Sequence, residues 1–352
     1  MKALILAGGK GSRLRPITYS TAKQLVPVAN KPVIEYGVEA IREAGISDFG
    51  FIVGDSHSEI EDAMGDGSRW DAKFTYIPQD APLGLAHAVK TAKAYLGEDR
   101  FIMYLGDNLI KTGVADLVRE FENDAFDASI LLTRVPNPEE FGVAELDGDR
   151  VVRLEEKPKH PKSDYALVGV YLFGPSIFDA IDTLQPSFRG EYEITDAIQK
   201  LIDWGKDVRS HIVTGWWKDT GTVQAMLEAN RLILETMSHR IDGTVEDSEV
   251  DDSVSVGSGA RVVSSCIRGP AVIGANCVIE RAYVGPFTSI AAGTTLRNSE
   301  IEYSIVMDDC TIEDAGRITG SLIGRGVGVT RAARKPASLG LVLGDNSSVV
   351  LP

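Results

Sequence analysis

The sequence is poor in several features on which whole classes of protein depend. Its 352 residues include only three cysteines, Cys266, Cys277 and Cys310, and their spacing fits neither a disulfide framework nor a zinc site. No apolar run reaches the roughly 18 residues that a membrane-spanning helix needs. The apolar N-terminal run breaks at Gly8-Gly9 without a cleavage-site pattern, so we predict a cytoplasmic protein.

Basic charge is also scarce. The chain has 36 Lys and Arg against 51 Asp and Glu, a formal net charge of −15. This balance argues against a nucleic-acid surface, which normally carries a basic patch. It leaves a nucleotide substrate open, because a magnesium ion and a few local cations outweigh the global field at one site.

What the chain does contain is typical of a globular protein. Hydrophobic residues make up 43% and charged residues 25% of the sequence. The length suits one large domain with an appendage. We therefore expect a substantial buried core and a second, smaller unit.

The first 28 residues carry the clearest signal. An apolar run at 2–7 predicts a buried strand, and the glycine-rich residues 8–13 follow it directly. Glycines after a strand let backbone N–H groups approach an anion, because no Cβ keeps it away. The loop is neither a P-loop, since Gly11 follows Lys10, nor a dinucleotide fingerprint, since Leu14 stands where a third glycine is needed.

Cations lie beside this loop. Arg13 follows it directly and Lys23 comes soon after. A triphosphate needs such charge in addition to backbone amides. Charge and glycine alone fit a solvated surface loop equally well, so both interpretations stay open at this point.

Strands and helices alternate over the following hundred residues. We predict helices at 33–44, 55–64 and 85–96, and strands at 49–53, 74–77 and 101–105. This order predicts a mainly parallel sheet covered on both faces, with ligands beyond the carboxyl ends of its strands. Asp107 follows one such strand. By itself Gly106-Asp107-Asn108 is more typical of a turn than of a metal site.

Residues 6–16 and 23–28 together closely resemble the signature of sugar-1-phosphate nucleotidylyltransferases, and within them the long form of glucose-1-phosphate thymidylyltransferase. The similarity extends over nearly the whole chain. It implies a Rossmann-like, mainly parallel nucleotidyltransferase domain of the glycosyltransferase-A type. It also implies that Asp107 and Asp219, the latter in a Trp-x-Asp-x-Gly segment, bind a catalytic Mg²⁺.

The resemblance implies further site residues. Arg13 and Lys23 would contact the nucleotide phosphates during transfer. The remaining nucleotide-binding positions are Leu6, Gly8, Gly9, Gly11, Ser12, Gln24, Gln79 and Gly84. The positions implied for the sugar phosphate are Gly142, Glu156, Lys157, Leu167 and Tyr171. Phe141 differs from the tyrosine of shorter relatives, and the run Glu155-Glu156-Lys157 would by itself suggest a solvated surface.

The pattern changes after residue 240. Aliphatic residues recur every 17 positions in three series, with steps of 6, 6 and 5 inside each repeat. This spacing predicts a three-sided solenoid and resembles the left-handed β-helix of hexapeptide-repeat proteins. We predict a catalytic domain at 1–240, a β-helix at 244–331 and a tail at 332–352 that caps the coils or packs on another subunit of a homo-oligomer.

The resemblance implies that dTTP and glucose 1-phosphate are joined to give dTDP-glucose and pyrophosphate, for deoxysugar biosynthesis. UTP or another sugar 1-phosphate is an alternative, because base and sugar choice depend on few contacts. A non-catalytic sugar-nucleotide-binding subunit is a second alternative. A solenoid acyltransferase is disfavoured, because all five histidines precede the solenoid: His57, His87, His160, His211 and His239.

Overall fold

The structure is a computed structural model that describes residues 1–124 and 126–331. The chain divides into two compact units, Met1–Ile233 and Leu234–Pro352. The tail predicted at 332–352 lies outside the described residues. No helix within the described ranges combines the length and apolar composition of a membrane span.

The N-terminal unit alternates strands and helices. Its strands are β1 (Lys2–Leu6), β2 (Pro27–Val28), β3 (Lys31–Pro32), β4 (Asp48–Val53), β5 (Lys73–Pro78), β6 (Phe101–Leu105), β7 (Asn108–Ile110), β8 (Ala128–Arg134), β9 (Gly142–Asp147), β10 (Arg150–Glu156), β11 (Tyr165–Phe173), β12 (Val208–Ile212) and β13 (Trp217–Asp219). Its helices are α1 (Val33–Glu43), α2 (His57–Met64), α3 (Leu85–Thr91), α4 (Lys93–Leu96), α5 (Ala115–Asn123), α6 (Ser176–Asp182), α7 (Ile194–Asp203) and α8 (Val223–Leu234).

Two helices differ from the sequence prediction. The helix expected at 85–96 is divided into α3 and α4 at Ala92, whose N–H is shared between the carbonyls of Ala88 and Val89. Such sharing tightens the last turn of a helix. The apolar pattern of residues 223–237 predicts a further helix that reaches Met237, whereas α8 ends at Leu234.

A nine-stranded sheet organises this unit, in the order β5-β4-β1-β6-β11-β8-β12-β10-β9. The pairs among β5, β4, β1 and β6 are parallel, as predicted, and so is the pair of β8 with β12. Strand β11 pairs antiparallel with both β6 and β8, and β10 pairs antiparallel with β12 and β9. The parallel half of the sheet carries the glycine-rich loop.

The sheet is buried on both faces. In β1, Leu4 and Leu6 pack into one hydrophobic cluster, whereas Ala3 and Ile5 pack into another. Because neighbouring side chains of a strand point to opposite faces, the two clusters lie on opposite sides of the sheet. The continuous apolar run at the start of the sequence is explained by this double coverage.

The C-terminal unit consists of short strands stacked in parallel. They are β14 (Thr244–Glu246), β15 (Glu249–Val250), β16 (Val254–Val256), β17 (Arg261–Val263), β18 (Cys266–Ile267), β19 (Ala271–Ile273), β20 (Val278–Glu280), β21 (Tyr283–Val284), β22 (Thr288–Ile290), β23 (Thr295–Glu302), β24 (Ile305–Val306), β25 (Thr311–Thr319), β26 (Leu322–Ile323) and β27 (Gly328–Thr330).

The register of these strands follows the predicted repeat. Val250 is paired with Ile267, and Val284 with Ile301, each 17 positions apart. One coil is shorter, because Ile290 is paired with Val306, 16 positions later. The aliphatic residues stack in the interior of the coils, an arrangement consistent with a parallel β-helix.

Candidate active site

Two strand ends bring the glycine-rich loop and Asp107 to one edge of the sheet. Leu6 at the end of β1 is paired with Leu105 at the end of β6. The N–H of Gly106 donates to the Leu6 carbonyl at 3.0 Å. Asp107 therefore lies at the same edge of the sheet as the glycine-rich loop. This edge, beyond the carboxyl ends of the strands, is where α/β sheets bind ligands.

The loop itself presents free amides. Within the described residues, the N–H groups of Gly8, Gly9 and Lys10 donate to no protein acceptor. Gly11 adopts φ +59°, and a Cβ there would come within 2.9 Å of the Lys23 Cβ. Only glycine allows this left-handed turn against Lys23 without strain. The loop thus combines unpaired donors with a nearby cation.

A two-stranded ribbon positions the second carboxylate. Strands β7 and β13 pair antiparallel, with Asp219 opposite Asn108. The N–H and the hydroxyl of Thr220 both donate to the Asp107 carbonyl, at 3.0 and 2.8 Å. Two aspartates more than a hundred positions apart are held side by side as a result.

Lys23 lies between these carboxylates. Its residue is only 8% exposed, and its ammonium contacts Asp107 and lies 3.7 Å from Oδ1 of Asp219. The guanidinium of Arg13 is 3.8 Å from Oδ2 of Asp219. Burial, and then the charge of Asp107, raise the pKa of Asp219, while Lys23 and Arg13 oppose this shift.

Two cavities meet at Asp107. One has a volume of about 540 Å³ and the other about 280 Å³. Leu105 and Asp107 line both of them, as do Leu85 and Glu191. The shared wall places the carboxylate where two separate ligands can meet.

The smaller cavity collects most of the positions predicted for the nucleotide. It is lined by Leu6, Gly8, Gly9, Gln24, Gln79 and Gly84 among others. Gly11 and Ser12, also predicted, are not among its lining residues. Gln24 is 2% exposed, and its Oε1 is buried without a hydrogen-bond partner. A buried acceptor without a partner costs free energy unless a ligand satisfies it.

The larger cavity collects every position predicted for the sugar phosphate. Gly142, Glu156, Lys157, Leu167 and Tyr171 all line it. A Cβ on Gly142 would lie 2.7 Å from the Thr195 methyl and 3.2 Å from Oε2 of Glu156. Burial, and then the charge of Glu193, raise the pKa of Glu156. Glu156 is therefore a pocket carboxylate and not part of a solvated charge run.

Three residues of this cavity were assigned no chemistry from the sequence. Arg189 lies 3.4 Å from Oε1 of Glu156, the hydroxyl of Thr195 donates to Oε2 at 3.3 Å, and Glu193 is 5% exposed. The segment 189–196 contains one Arg and three acidic residues and runs into the first turn of α7. This density of charge before a helix was the signal available, but it is equally typical of an ordinary helix start.

The aspartate pair suits a hard divalent cation. Among the described residues no group of three or more His, Cys, Asp and Glu side chains could hold a metal. Mg²⁺ requires only one or two carboxylates, because phosphate oxygens and water complete its coordination. Oδ1 of Asp219 is buried without a hydrogen-bond partner, so the donor set fits such an ion.

Comparison with known proteins agrees with this geometry. A family model described as nucleotidyl transferase matches residues 2–236. Glucose-1-phosphate thymidylyltransferases of Streptomyces griseus and Streptomyces antibioticus are 58% and 56% identical, each over 99% of this chain and 98% and 99% of their own.

A solved structure supports the same conclusion. A Bacillus anthracis protein assigned as a glucose-1-phosphate thymidylyltransferase, with sucrose bound, superposes with a TM-score of 0.62. It is 40% identical, and the match covers 66% of this chain and 94% of that one. The chain belongs to the nucleotidyl transferase family and is similar over its whole length to glucose-1-phosphate thymidylyltransferases.

Proposed function

We propose that the chain transfers a thymidylyl group from dTTP to glucose 1-phosphate, giving dTDP-glucose and pyrophosphate. The observation that carries the proposal is the buried Lys23, which is held between Asp219 and Asp107, the residue at which the smaller and the larger cavity meet. Full-length similarity to thymidylyltransferases supports the choice of nucleotide and sugar.

The smaller cavity would hold the nucleotide. Gln24 and Gln79 would read the pyrimidine edge, because an amide offers both a donor and an acceptor. Nε2 of Gln79 lies 2.9 Å from Nδ1 of His87, which orients the amide. Gly84 has φ +102°, and a Cβ there would lie 2.5 Å from the Tyr192 carbonyl oxygen. Glycine therefore lets the backbone of the cavity wall approach Tyr192 without a clash. The amides of Gly8 and Gly9 would cradle phosphate, with Gly11 and Ser12 shaping the loop.

The larger cavity would hold the sugar phosphate. Glu156 would accept hydrogen bonds from sugar hydroxyls, and Gly142, Leu167 and Tyr171 would shape the wall. Lys157 would hold the phosphate as a point cation. Arg189 lines the same cavity and supplies a second cation at that end.

The reaction would be a single in-line displacement. A phosphate oxygen of glucose 1-phosphate attacks the α-phosphorus of dTTP, and the bond from that phosphorus to the bridging oxygen breaks as pyrophosphate leaves. The attacking oxygen is already anionic near neutral pH, so no general base is needed. Positioning by the two cavities and charge neutralisation by Lys23 and Arg13 account for the catalysis.

Asp107 and Asp219 would hold Mg²⁺. The ion would neutralise charge on the phosphates when bound. Lys23 keeps the two carboxylates together, and Thr220 fixes the backbone of Asp107 beside them. These contacts preorganise the pair before substrate arrives.

The chain would divide into a catalytic domain and a domain for assembly. We propose a glycosyltransferase-A-like catalytic domain at 1–240 and a left-handed β-helix at 244–331 that promotes a homo-oligomer. The 17-residue register of the C-terminal strands supports a β-helix. The product would enter deoxysugar biosynthesis.

The test is pyrophosphate release from the full-length protein with Mg²⁺ and glucose 1-phosphate, comparing dTTP, UTP, ATP and GTP. We expect a strong preference for dTTP. Preference for UTP would keep the mechanism and overturn the choice of nucleotide. Silence with all four, and with other hexose phosphates, would overturn the enzymatic proposal in favour of a sugar-nucleotide-binding subunit.

A further inference from the structure

One side chain of the smaller cavity is oriented by a residue outside that cavity. Gln79 lines the smaller cavity and does not line the larger, sugar-side cavity. Its backbone N–H donates to the Val53 carbonyl at 2.8 Å, just beyond the carboxyl ends of β4 and β5. Nε2 of its side chain lies 2.9 Å from Nδ1 of His87, which lines neither cavity. The amide of Gln79 therefore has one end in contact with the protein and the other available to a ligand.

The contact with His87 determines which end of the amide a ligand meets. An amide nitrogen can only donate, so Nδ1 of His87 accepts, and the imidazole proton is assigned to Nε2 of the ring. Oε1 of Gln79 lies on the side of the glycine-rich loop, 3.5 Å from the position that a Cβ on Gly8 would occupy. Among the described residues no donor is hydrogen-bonded to this oxygen. The smaller cavity therefore presents an acceptor at Gln79.

The imidazole of His87 is held in place by its neighbours. His87 belongs to α3, and its ring is stacked on that of Tyr192, with ring centres 6.4 Å apart and planes at 28°. The N–H of Tyr192 donates to the Leu83 carbonyl at 2.7 Å, and its carbonyl accepts from the N–H of Ala86 at 3.1 Å. The helix and the ring contact together keep Nδ1 of His87 directed at Gln79.

An acceptor at this position suits one class of pyrimidine. Thymine and uracil carry a proton on N3, which can donate to Oε1 of Gln79. Cytosine has an unprotonated N3, which is itself an acceptor, so the two lone pairs would face each other. A site that leaves buried polar groups unmatched in this way discriminates strongly against the wrong ligand. Rotation of the amide would present Nε2 to cytosine, but it would also place Oε1 against the acceptor Nδ1 of His87.

We infer that His87 is a positioning residue for base selection, which holds Gln79 so that the smaller cavity accepts thymine or uracil nucleotides and rejects cytosine nucleotides. The inference rests on the proposed function, in which this cavity binds the nucleotide. It assigns the donor end of the Gln79 amide to His87 and only the acceptor end to the base. His87 acts through Gln79 and does not contact the nucleotide.

The test measures kcat/KM for dTTP, dCTP and UTP with the full-length protein, Mg²⁺ and glucose 1-phosphate. His87→Leu removes the acceptor, whereas His87→Asn keeps one, because Oδ1 of Asn is as many bonds from Cβ as Nδ1 of His. His57→Leu is the matched control. The ring of His57 also lies beside a tyrosine, Tyr76 at 6.1 Å, and His57 lines neither cavity.

The preference of kcat/KM for dTTP over dCTP should fall about tenfold in His87→Leu, because the Gln79 amide is then free to turn. The preference for dTTP over UTP should stay within about twofold, since both bases carry the N3 proton. His87→Asn should recover most of the lost preference. His57→Leu should change neither preference.

A double-mutant cycle separates positioning from a general structural effect. Gln79→Leu, His87→Leu and the combined variant should lower the preference for dTTP over dCTP by about the same factor, because His87 acts only through Gln79. A clearly larger fall in the combined variant than in Gln79→Leu would overturn the inference. His87→Ala removes the same acceptor with a residue that favours a helix, so it decides the question where His87→Leu does not fold.

An unchanged preference in His87→Leu or His87→Ala would also overturn the inference, while turnover of dTTP in the same assay would leave the proposed function standing. Calorimetric titration of dTTP and dCTP with Mg²⁺ measures the preference as a ratio of Kd values without turnover. A Kd ratio that depends on His87, in a protein that releases no pyrophosphate, would support the inference and overturn the proposed reaction. The two failures are thus distinguishable.

Discussion

In the N-terminal unit the ammonium of Lys23 is buried with two carboxylates, whereas in the C-terminal unit the guanidinium of Arg297 lies near the surface between Glu280 and Glu313. Lys23 has a 9% exposed side chain and Arg297 a 40% exposed one. Buried charge is costly without partners, and surface pairs are worth little. The buried arrangement of Lys23 is costly enough to suggest a role in binding or catalysis, whereas the surface pairs of Arg297 contribute little to stability.

The same contrast holds for buried polar atoms that lack a hydrogen-bond partner. Gln24, Trp217 and Asp219 each keep a buried side-chain atom without a hydrogen-bond partner, and all lie in the N-terminal unit. In the described part of the C-terminal unit every buried side-chain nitrogen and oxygen has a partner. Serines there form a ladder, in which Ser248 accepts from the N–H of Ser265, and Ser265 from that of Ala282. The N-terminal unit thus has buried polar atoms that a ligand could bind, whereas the buried polar atoms of the C-terminal unit are hydrogen-bonded within the protein.

The largest expected effect tests the buried charge. Lys23→Gln should lower turnover about a thousandfold, because it removes a preorganised cation at the reacting phosphate and leaves two carboxylates facing each other. Pyrophosphate release measures it. Lys90→Gln is the control, since Lys90 forms an exposed pair with Asp182. A loss of less than about tenfold would remove Lys23 from the site.

The next effect should fall on stability alone. Ile301→Ala opens a cavity in the coil interior, where Ile301 is 0% exposed, and should lower the free energy of unfolding by about 2–5 kcal/mol. Turnover of the folded protein should not change. Ile241→Ala, at a residue 51% exposed, is the control.

Spectroscopy can separate the units in this experiment. All four tryptophans, Trp70, Trp204, Trp216 and Trp217, lie in the N-terminal unit. Urea unfolding of Ile301→Ala should shift the circular-dichroism transition more than the tryptophan transition. Loss of turnover without any change in stability would contradict the division of roles between the units.

A smaller effect should appear in nucleotide choice. Gln24→Leu keeps the volume but removes the buried amide, and the preference of kcat/KM for dTTP over ATP should fall about tenfold. The measurement is kcat/KM for each nucleotide. Gln224→Leu, on the exposed side of α8, should leave the preference intact. An unchanged preference in Gln24→Leu would show that other groups read the base.

The smallest effect should come from the surface ion pairs of Arg297 in the coils. Arg297→Gln removes the pairs with Glu280 and Glu313 and should cost less than about 1 kcal/mol of stability, with turnover unchanged. The shift in the urea midpoint measures it. A loss of stability as large as that of Ile301→Ala would mean that these ion pairs stabilise the coils as much as the aliphatic interior does.

Much of the fold was predictable because its signals are local. The apolar run of β1 before Gly8 follows from burial of a short strand on both faces. The 17-residue spacing of Val250 and Ile267 follows from the stacking of equivalent positions in successive coils. The resemblance to sugar-1-phosphate nucleotidylyltransferases is confirmed by the match to residues 2–236 and by full-length relatives. The assigned roles of individual site residues stay predictions.

The antiparallel half of the sheet, the break at Ala92 and the 16-residue coil were not predictable. Strand β11 joins β6 and β8 by contacts across more than 30 residues in each case, which no local pattern encodes. The position of Arg189 in the sugar-side cavity likewise depends on Glu156 and Glu193 being folded around it.

The sequence by itself determined where the glycine-rich loop, the parallel strands at 2–105 and the coils lie, because these features leave a regular pattern of apolar residues along the chain. Only the tertiary structure decided that Asp107 meets Asp219 and that Lys23 is buried between them, because β7 and β13 come from opposite halves of the N-terminal unit. Charge burial depends on which distant groups share a site, and that is set by the packing of the whole sheet.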